Sequence, residues 1–194
     1  MNITVIKLGG SLMRSSELAD WLVTVESLAT ISNIIIVPGG GEFADKVREM
    51  QCSLGFDDQT AHRLALLAMT QYAYLLAGLN ENLHIVEDLE TLSSNLDKHI
   101  PLLWLPTALL HDESEIPANW NYTSDSIALW LAAKLAANRL VLVKAKVLQQ
   151  IETSLEEFIR NGVLDKGFQQ LTNEFQGKIH LINKRHYRQL VDLF

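Results

Sequence analysis

The chain has 194 residues, 48% of them hydrophobic, and a formal net charge of -7. That length supports a packed core without disulfides or a structural metal, and the composition excludes a disordered polymer. The acidic balance speaks against nucleic acid as a partner, because phosphate-backbone binders are basic, but it leaves room for a small anion at a local positive site.

The single cysteine, Cys52, can form neither an internal disulfide nor a cysteine-based zinc cluster, and on a helix it is expected to be a partly buried structural residue. His62, His84, His99, His111, His180 and His186 show no metal-ligand spacing, so no metal site is expected. The segment Met1–Lys7 runs straight into strand-like sequence without the layout of a signal peptide. The longest apolar stretch, Ile127 to Val143, is broken by Lys134, Asn138 and Arg139, which excludes a membrane span. A cytoplasmic location is the resulting expectation.

In chain order, Ile3–Leu8 reads as a buried strand. Ser16-Glu17 opens a helix with Leu18, Leu22, Val25 and Leu28 at helical spacing. Ile34–Val37 is a second buried strand, stopped by Pro38 and three glycines. A helix over Glu42–Leu54 ends at Gly55, and Asp57 or Asp58 caps a long helix to about Leu79. That helix is apolar nearly all round and is expected to be buried on several sides, including a homo-oligomer interface. Leu83–Val86 and Ile100–Leu105 read as strands flanking a helix, and 106–122 as a long polar loop. Ser124–Asn138 is an Ala- and Leu-rich helix, Leu140–Val147 a strand, Thr153–Asn161 and Lys166–Phe175 short helices, Lys178–Ile182 the last strand, and Arg185–Leu193 the closing helix. The strands are continuously apolar, so both sheet faces are covered. The expected fold is a three-layer αβα sandwich with a mainly parallel sheet, whose ligands bind outside the carboxyl ends of the strands.

Two of those ends carry glycine: Lys7-Leu8-Gly9-Gly10-Ser11 and Pro38-Gly39-Gly40-Gly41. Glycine lets a ligand approach the backbone amides, and each turn leads toward a helix N-terminus, which favours an anion. Either turn alone is also compatible with a plain strand-to-helix connection. Neither is a P-loop or a Rossmann fingerprint. The shared-site reading places both turns on one cavity with Lys7 at its floor. Thr123-Ser124-Asp125-Ser126 opens the Ala-rich helix, where Thr123 or Ser124 serves as cap and Asp125 complements the dipole. Lys144 and Lys146 close the strand that follows; as strand-end charges they, like Lys7, are expected to be solvated. Trp104, Trp120 and Trp130 either line a pocket or pack in the core or an interface, and the packing role is the expectation.

In order and spacing these segments resemble the amino acid kinase superfamily, which includes acetylglutamate kinase, aspartokinase and uridylate kinase. The opening strand ends Lys-x-Gly-Gly-Ser, the second ends Gly-Gly-Gly, and an Asp opens a late Ala-rich helix feeding Leu140–Val143. Gly162-Val163-Leu164-Asp165 followed by Phe168 is a further shared element. The short length and the Ser-Asp-Ser pattern are most similar to small archaeal members that act in methanofuran-type cofactor synthesis. The resemblance implies one domain over 1–194, with an acceptor-binding half over about 1–122 and a shortened nucleotide half over about 123–194. It implies ATP with Mg2+ as cofactors, and a small anionic metabolite, a carboxylate or phosphate, as acceptor. It makes Lys7, Asp125 and Lys144 catalytic, with Asp125 orienting the lysines. Gly9, Gly10, Ser11, Lys146 and Asp165 would hold the nucleotide, and Gly39, Gly40, Gly41 and Ser124 the acceptor. The sequence departs from the family where Lys144-Ala145-Lys146-Val147 replaces the usual Thr-Asp-x-Asp-Gly, and where a later Gly-Gly-Met-x-x-Lys segment is missing. Two readings follow: Lys144 has taken over part of the phosphate contact, or the chain is a non-catalytic binder of a metabolite or partner.

Overall fold

The computed structural model describes residues 2–107, 115–146 and 154–194. Part of the expected 106–122 loop, His111, and the ends at Val147 and Thr153 lie outside the described residues. Among the described residues six strands, β1 (Ile3–Leu8), β2 (Asn33–Pro38), β3 (His84–Val86), β4 (Leu102–Trp104), β5 (Arg139–Lys144) and β6 (Lys178–Asn183), form one sheet in the order β3-β4-β2-β1-β5-β6. Every pairing is parallel. Strand β1 is buried throughout and lies between β2 and β5, with Lys7 opposite Val37 on one side and Leu142 on the other. The strand order reverses about β1, so the ligand crevice of such a sheet opens at its carboxyl end.

The helices that frame the sheet among the described residues are α1 (Leu18–Ala29), α2 (Gly41–Leu54), α3 (Asp58–Leu79), α4 (Leu89–Asn95), α5 (Ser124–Lys134), α6 (Leu155–Arg160) and α7 (Phe168–Leu171). They form two layers. On one face α1 and Leu190 cover Ile6, Leu8, Ile34, Ile36, Val141 and Val143; on the other α4, α5 and α7 cover Val5, Ile35, Val37, Leu140 and Leu142. The two-residue period of a strand therefore assigns Lys7 to the face of Ile3 and Val5, and Lys144 to the face of Leu140 and Leu142. Both lysines point toward α5.

Several details differ from expectation for local reasons. Helix α5 ends at Lys134 because Ala136 turns left-handed (φ 47°) to lead into β5. The closing segment is a 3-10 helix over Tyr187–Leu193, a form common in short terminal pieces. Asp57 caps α3 by accepting from the Thr60 amide at 2.7 Å. Helix α2 rides on α3 and contributes no fully buried residue, so Cys52 is exposed rather than partly buried. Helix α3 buries Leu66, Met69, Tyr72 and Leu76, yet leaves Leu64, Leu67, Tyr74 and Leu79 exposed.

Candidate active site

At the carboxyl edge of the sheet the two glycine turns pack directly against each other. A Cβ on Gly10 would lie 2.1 Å from the Gly41 Cα, so no side chain fits there without moving backbone. Gly41 itself is left-handed (φ 53°). The Gly39 amide donates to the Leu8 carbonyl at 2.8 Å and thereby ties β2's exit to β1's. Gly39, expected at the acceptor, thereby links the two turns. A Cβ on Gly9 would meet the Val143 carbonyl at 2.9 Å and the Lys7 Nζ at 3.3 Å, so this glycine keeps the backbone clear of the ammonium.

Lys7 and Lys144 converge on one carboxylate. Lys7 Nζ lies 2.9 Å from Asp125 Oδ1, and Lys144 Nζ donates to Asp125 Oδ2. The side chains of Lys7, Asp125 and Lys144 are 7%, 3% and 15% exposed. The expectation of solvated strand-end lysines is therefore corrected. Both sit under the first turn of α5 because strand periodicity aims them at it. Burial alone would raise the Asp125 carboxyl, but Lys7 and Lys144 together hold it below the ordinary range. Burial and the neighbouring Lys7 pull the Lys144 ammonium down, against the opposing pull of Asp125 and Asp165. Lys146, by contrast, is exposed at the strand exit.

Asp165 was expected at the nucleotide. Its oxygens are instead taken by the start of α5: Oδ2 accepts from the Thr123 amide (2.8 Å), the Ser126 amide (3.1 Å) and the Ser126 hydroxyl (3.0 Å), and Oδ1 from the Thr123 hydroxyl (2.7 Å). Burial and Asp125 push its carboxyl above the ordinary range.

Beside this cluster lies a cavity of about 470 Å³ between the glycine turns, α2, α3 and the start of α5. Gly10, Ser11, Gly40, Gly41 and Ser124 line it; Lys7, Gly9 and Gly39 do not. Lys7 is thus behind the cavity rather than its floor, and the two sites share the Gly10 turn and the first turn of α5. Leu66, Met69 and Ile127 give the cavity an apolar side. Its polar lining includes residues that had no motif to mark them: Arg14, Arg48, His62 and Trp120. Arg14 pairs with Glu42 at 2.5 and 2.7 Å, across the gap between the first glycine turn and α2. The Arg48 guanidinium stacks 4.3 Å over the Trp120 ring, whose Nε1 donates to Gln51 at 2.6 Å. Trp120 is therefore a wall of the cavity, whereas Trp104 and Trp130 are core. His62 is buried, and its burial lowers its proton affinity, which keeps the ring neutral near pH 7. Lys184, also unmarked by sequence, places its ammonium 3.1 Å from the Ser11 carbonyl.

The sequence model of the Amino acid kinase family matches residues 2–146. The chain belongs to that family. Its kinase-family match runs through β5 and includes Lys7, both glycine turns, Asp125 and Lys144. This kinase-family chain is 24% identical to the [5-(aminomethyl)furan-3-yl]methyl phosphate kinase of Methanocaldococcus jannaschii, over 97% of its own length and 91% of that protein's. The fold is shared with uridylate kinase from Archaeoglobus fulgidus (TM-score 0.73, 17% identity, 99% of this chain and 96% of that one). It is also shared with N-acetylglutamate synthase from Neisseria gonorrhoeae, solved with coenzyme A and L-arginine (TM-score 0.61, 12% identity, 98% of this chain and 58% of that one).

Proposed function

We propose that the chain is an ATP-dependent kinase that transfers a phosphoryl group to a small anionic metabolite, a phosphate ester in cofactor synthesis of the methanofuran type. The observation that carries this reading is the buried Lys7–Asp125–Lys144 cluster beside a cavity at the carboxyl edge of a parallel sheet. Phosphoryl transfer is mainly positioning and charge neutralisation, which ammonium groups and backbone amides supply without a covalent enzyme intermediate. The relative's action on a phosphate ester supports the acceptor class.

ATP, when bound, would supply the phosphoryl group, and the residues fit it: Gly9 keeps a side chain off the Lys7 ammonium, since a Cβ there would come within 3.3 Å of Nζ, and Gly10 continues that turn to the cavity wall. Among the described residues no cluster of three His, Cys, Asp or Glu side chains could hold a metal. Mg2+, in this reading, would arrive with the nucleotide and would offset phosphate charge there. Asp125 holds Lys7 and Lys144 on either side of one carboxylate, so neither ammonium reorganises as charge develops on the transferred group. An acceptor that is already an oxyanion has no proton to lose, and the site needs no general base. Lys144, at the strand end where the family's Thr-Asp-x-Asp-Gly is replaced, takes over part of the phosphate contact. Gly10, Gly40, Gly41 and Ser124 receive the acceptor's anionic end, and Arg48 and Trp120 the remainder.

Residues 1–122 in this reading supply most of the acceptor walls, and 123–194 the second lysine and the support for α5. The enzyme works where ATP is made available, in the cytoplasm. No helix among the described residues is long and apolar enough to cross a membrane. The exposed face of α3, with Leu64, Leu67 and Tyr74, favours a homodimer, which sedimentation would report directly. Isothermal titration with MgATP tests the kinase reading. Saturable heat supports it; no heat at millimolar nucleotide in a folded sample leaves the binding-only alternative.

A further inference from the structure

We propose that Asp165, which lies outside the stretch that the family model covers, is a positioning residue: it clamps the first turn of α5 and serves as the second counter-charge of the two-lysine cluster. The proposal rests on the kinase reading only for its consequence in turnover. Its structural basis is independent of that reading.

The geometry is a four-point clamp. Thr123 is the N-cap of α5, but its side chain does not cap its own helix. The unsatisfied donors of that first turn go to Asp165 instead, through the amides and hydroxyls of Thr123 and Ser126 at 2.7 to 3.1 Å. These two residues bracket Asp125. A carboxylate held from both sides in this way fixes where Asp125, and with it Lys7 and Lys144, can sit. The clamp extends along the chain. Gly167 donates its amide to the Asn121 carbonyl at 2.8 Å, and the Tyr122 hydroxyl bonds to Gln170. A Cβ on Gly167 would lie 2.5 Å from the Tyr122 ring, so these two strips of chain are in direct contact. Tyr122, Thr123 and Ser124 also line the cavity. One short segment, 165–170, therefore braces both the lysine cluster and a wall of the acceptor site.

The charge arithmetic explains why the brace is an aspartate. Lys7, Lys144 and Asp125 alone would leave one excess positive charge in a buried site. Asp165 brings the group to two ammoniums and two carboxylates. The charged groups facing Lys144 are Lys7 from β1, Asp125 from α5 and Asp165 from the segment before α7; of these, the two carboxylates favour its charged form. Asp165 carries that charge at a cost, since burial and Asp125 disfavour its ionised state.

Two substitutions separate charge from geometry. In Asp165→Asn, the amide oxygen at the Oδ2 position keeps three of the four bonds, and the Thr123 hydroxyl can rotate to accept from the new amide; only the charge is lost. In Asp165→Ala the clamp itself is gone. The first readout is the titration of Lys144 by NMR in protein labelled at lysine, with the Lys144 signal assigned by its loss in Lys144→Ala. The Asn variant is expected to titrate Lys144 at lower pH than wild type, with an unfolding temperature equal to or above the wild-type value. The second readout is kinase turnover. The alkaline limb of the kcat profile should move to lower pH in the Asn variant while the acceptor KM stays put. The Ala variant should lose about 10²-fold in kcat, the scale of a misplaced catalytic group, and raise the acceptor KM as well. A Lys144 midpoint that does not move in Asp165→Asn, with a lowered unfolding temperature, would mark an ordinary structural cap and overturn the proposal. If wild type shows no kinase turnover, the kinase reading has failed, and the NMR midpoint alone decides this inference.

Discussion

Asp125→Asn is the sharpest perturbation of the cluster, because one carboxylate serves two ammoniums. The side chain is 3% exposed, and its partners 7% and 15%. An asparagine fills the same space but leaves Lys7 and Lys144 buried without their shared counter-charge. Removing one partner of a buried ion pair costs about 3–5 kcal/mol, since the remaining charge is uncompensated. For a chain of this size each kcal/mol lowers the unfolding temperature by about 2–4 °C, which puts the expected loss at about 6–20 °C. Lys144 can relieve part of the cost by shedding its proton, being already pulled down by burial and Lys7. Between its lowered folded value and the ordinary lysine value the unfolded chain binds the extra proton, so the variant's stability should rise with pH across that window. Thermal unfolding from neutral to alkaline pH measures this. Adding Lys144→Ala removes one orphaned ammonium and should restore part of the loss, a coupling of about 0.5–3 kcal/mol in a double-mutant cycle. A loss below about 1 kcal/mol, strictly additive with Lys144→Ala, is what a simple complement to the helix dipole would give, and it would refute the shared-counter-charge account.

Three further outcomes follow from the same geometry. Lys7→Ala should cut turnover by about 10²–10³ in a steady-state assay, the usual consequence of losing a preorganised donor to developing charge, while destabilising less than Asp125→Asn because Asp125 keeps Lys144. Trp120→Ala and Arg48→Ala should weaken acceptor binding in titration calorimetry and leave MgATP binding unchanged, since both residues line the cavity away from Lys7. In acid, wild-type protein should lose the cluster's contribution only as pH falls through the depressed Asp125 value. That contribution is fully present above the ordinary aspartate range of about 3.9, and Asp125→Asn should flatten this part of an acid-denaturation curve.

The parallel sheet was legible because β1, β2 and β5 are built mostly of Val, Ile and Leu on both faces rather than in strict alternation with polar residues, the pattern of strands covered on both sides. The glycine turns were legible for a similar reason: Gly10 and Gly41 are forced by backbone contact, and such a constraint leaves a mark in sequence. The burial of Lys7 and Lys144 was not, because it depends on α5 crossing above two strand ends that are 137 positions apart in the chain, 144 minus 7. The alternation along each strand did carry the needed signal, since it puts Lys7 with Val5 and Lys144 with Leu142. Asp165 shows the limit of motif reading. Its position within Gly-Val-Leu-Asp suggested a ligand contact, and only the packing of 165–170 on 121–126 reveals that its oxygens are engaged within the protein. Arg48 and Trp120 belong to no motif at all; they meet only because the chain returns over α2.

Phosphorus NMR of the purified protein with MgATP and a small phosphate monoester, such as an aminomethyl-aryl methyl phosphate, tests the central claim most directly. The account predicts the appearance of ADP together with the paired signals of a new pyrophosphate on the acceptor, both abolished in Asp125→Ala. Binding of the ester with no ADP formed over a panel of carboxylate and phosphate acceptors, while MgATP gives no calorimetric heat, would contradict it.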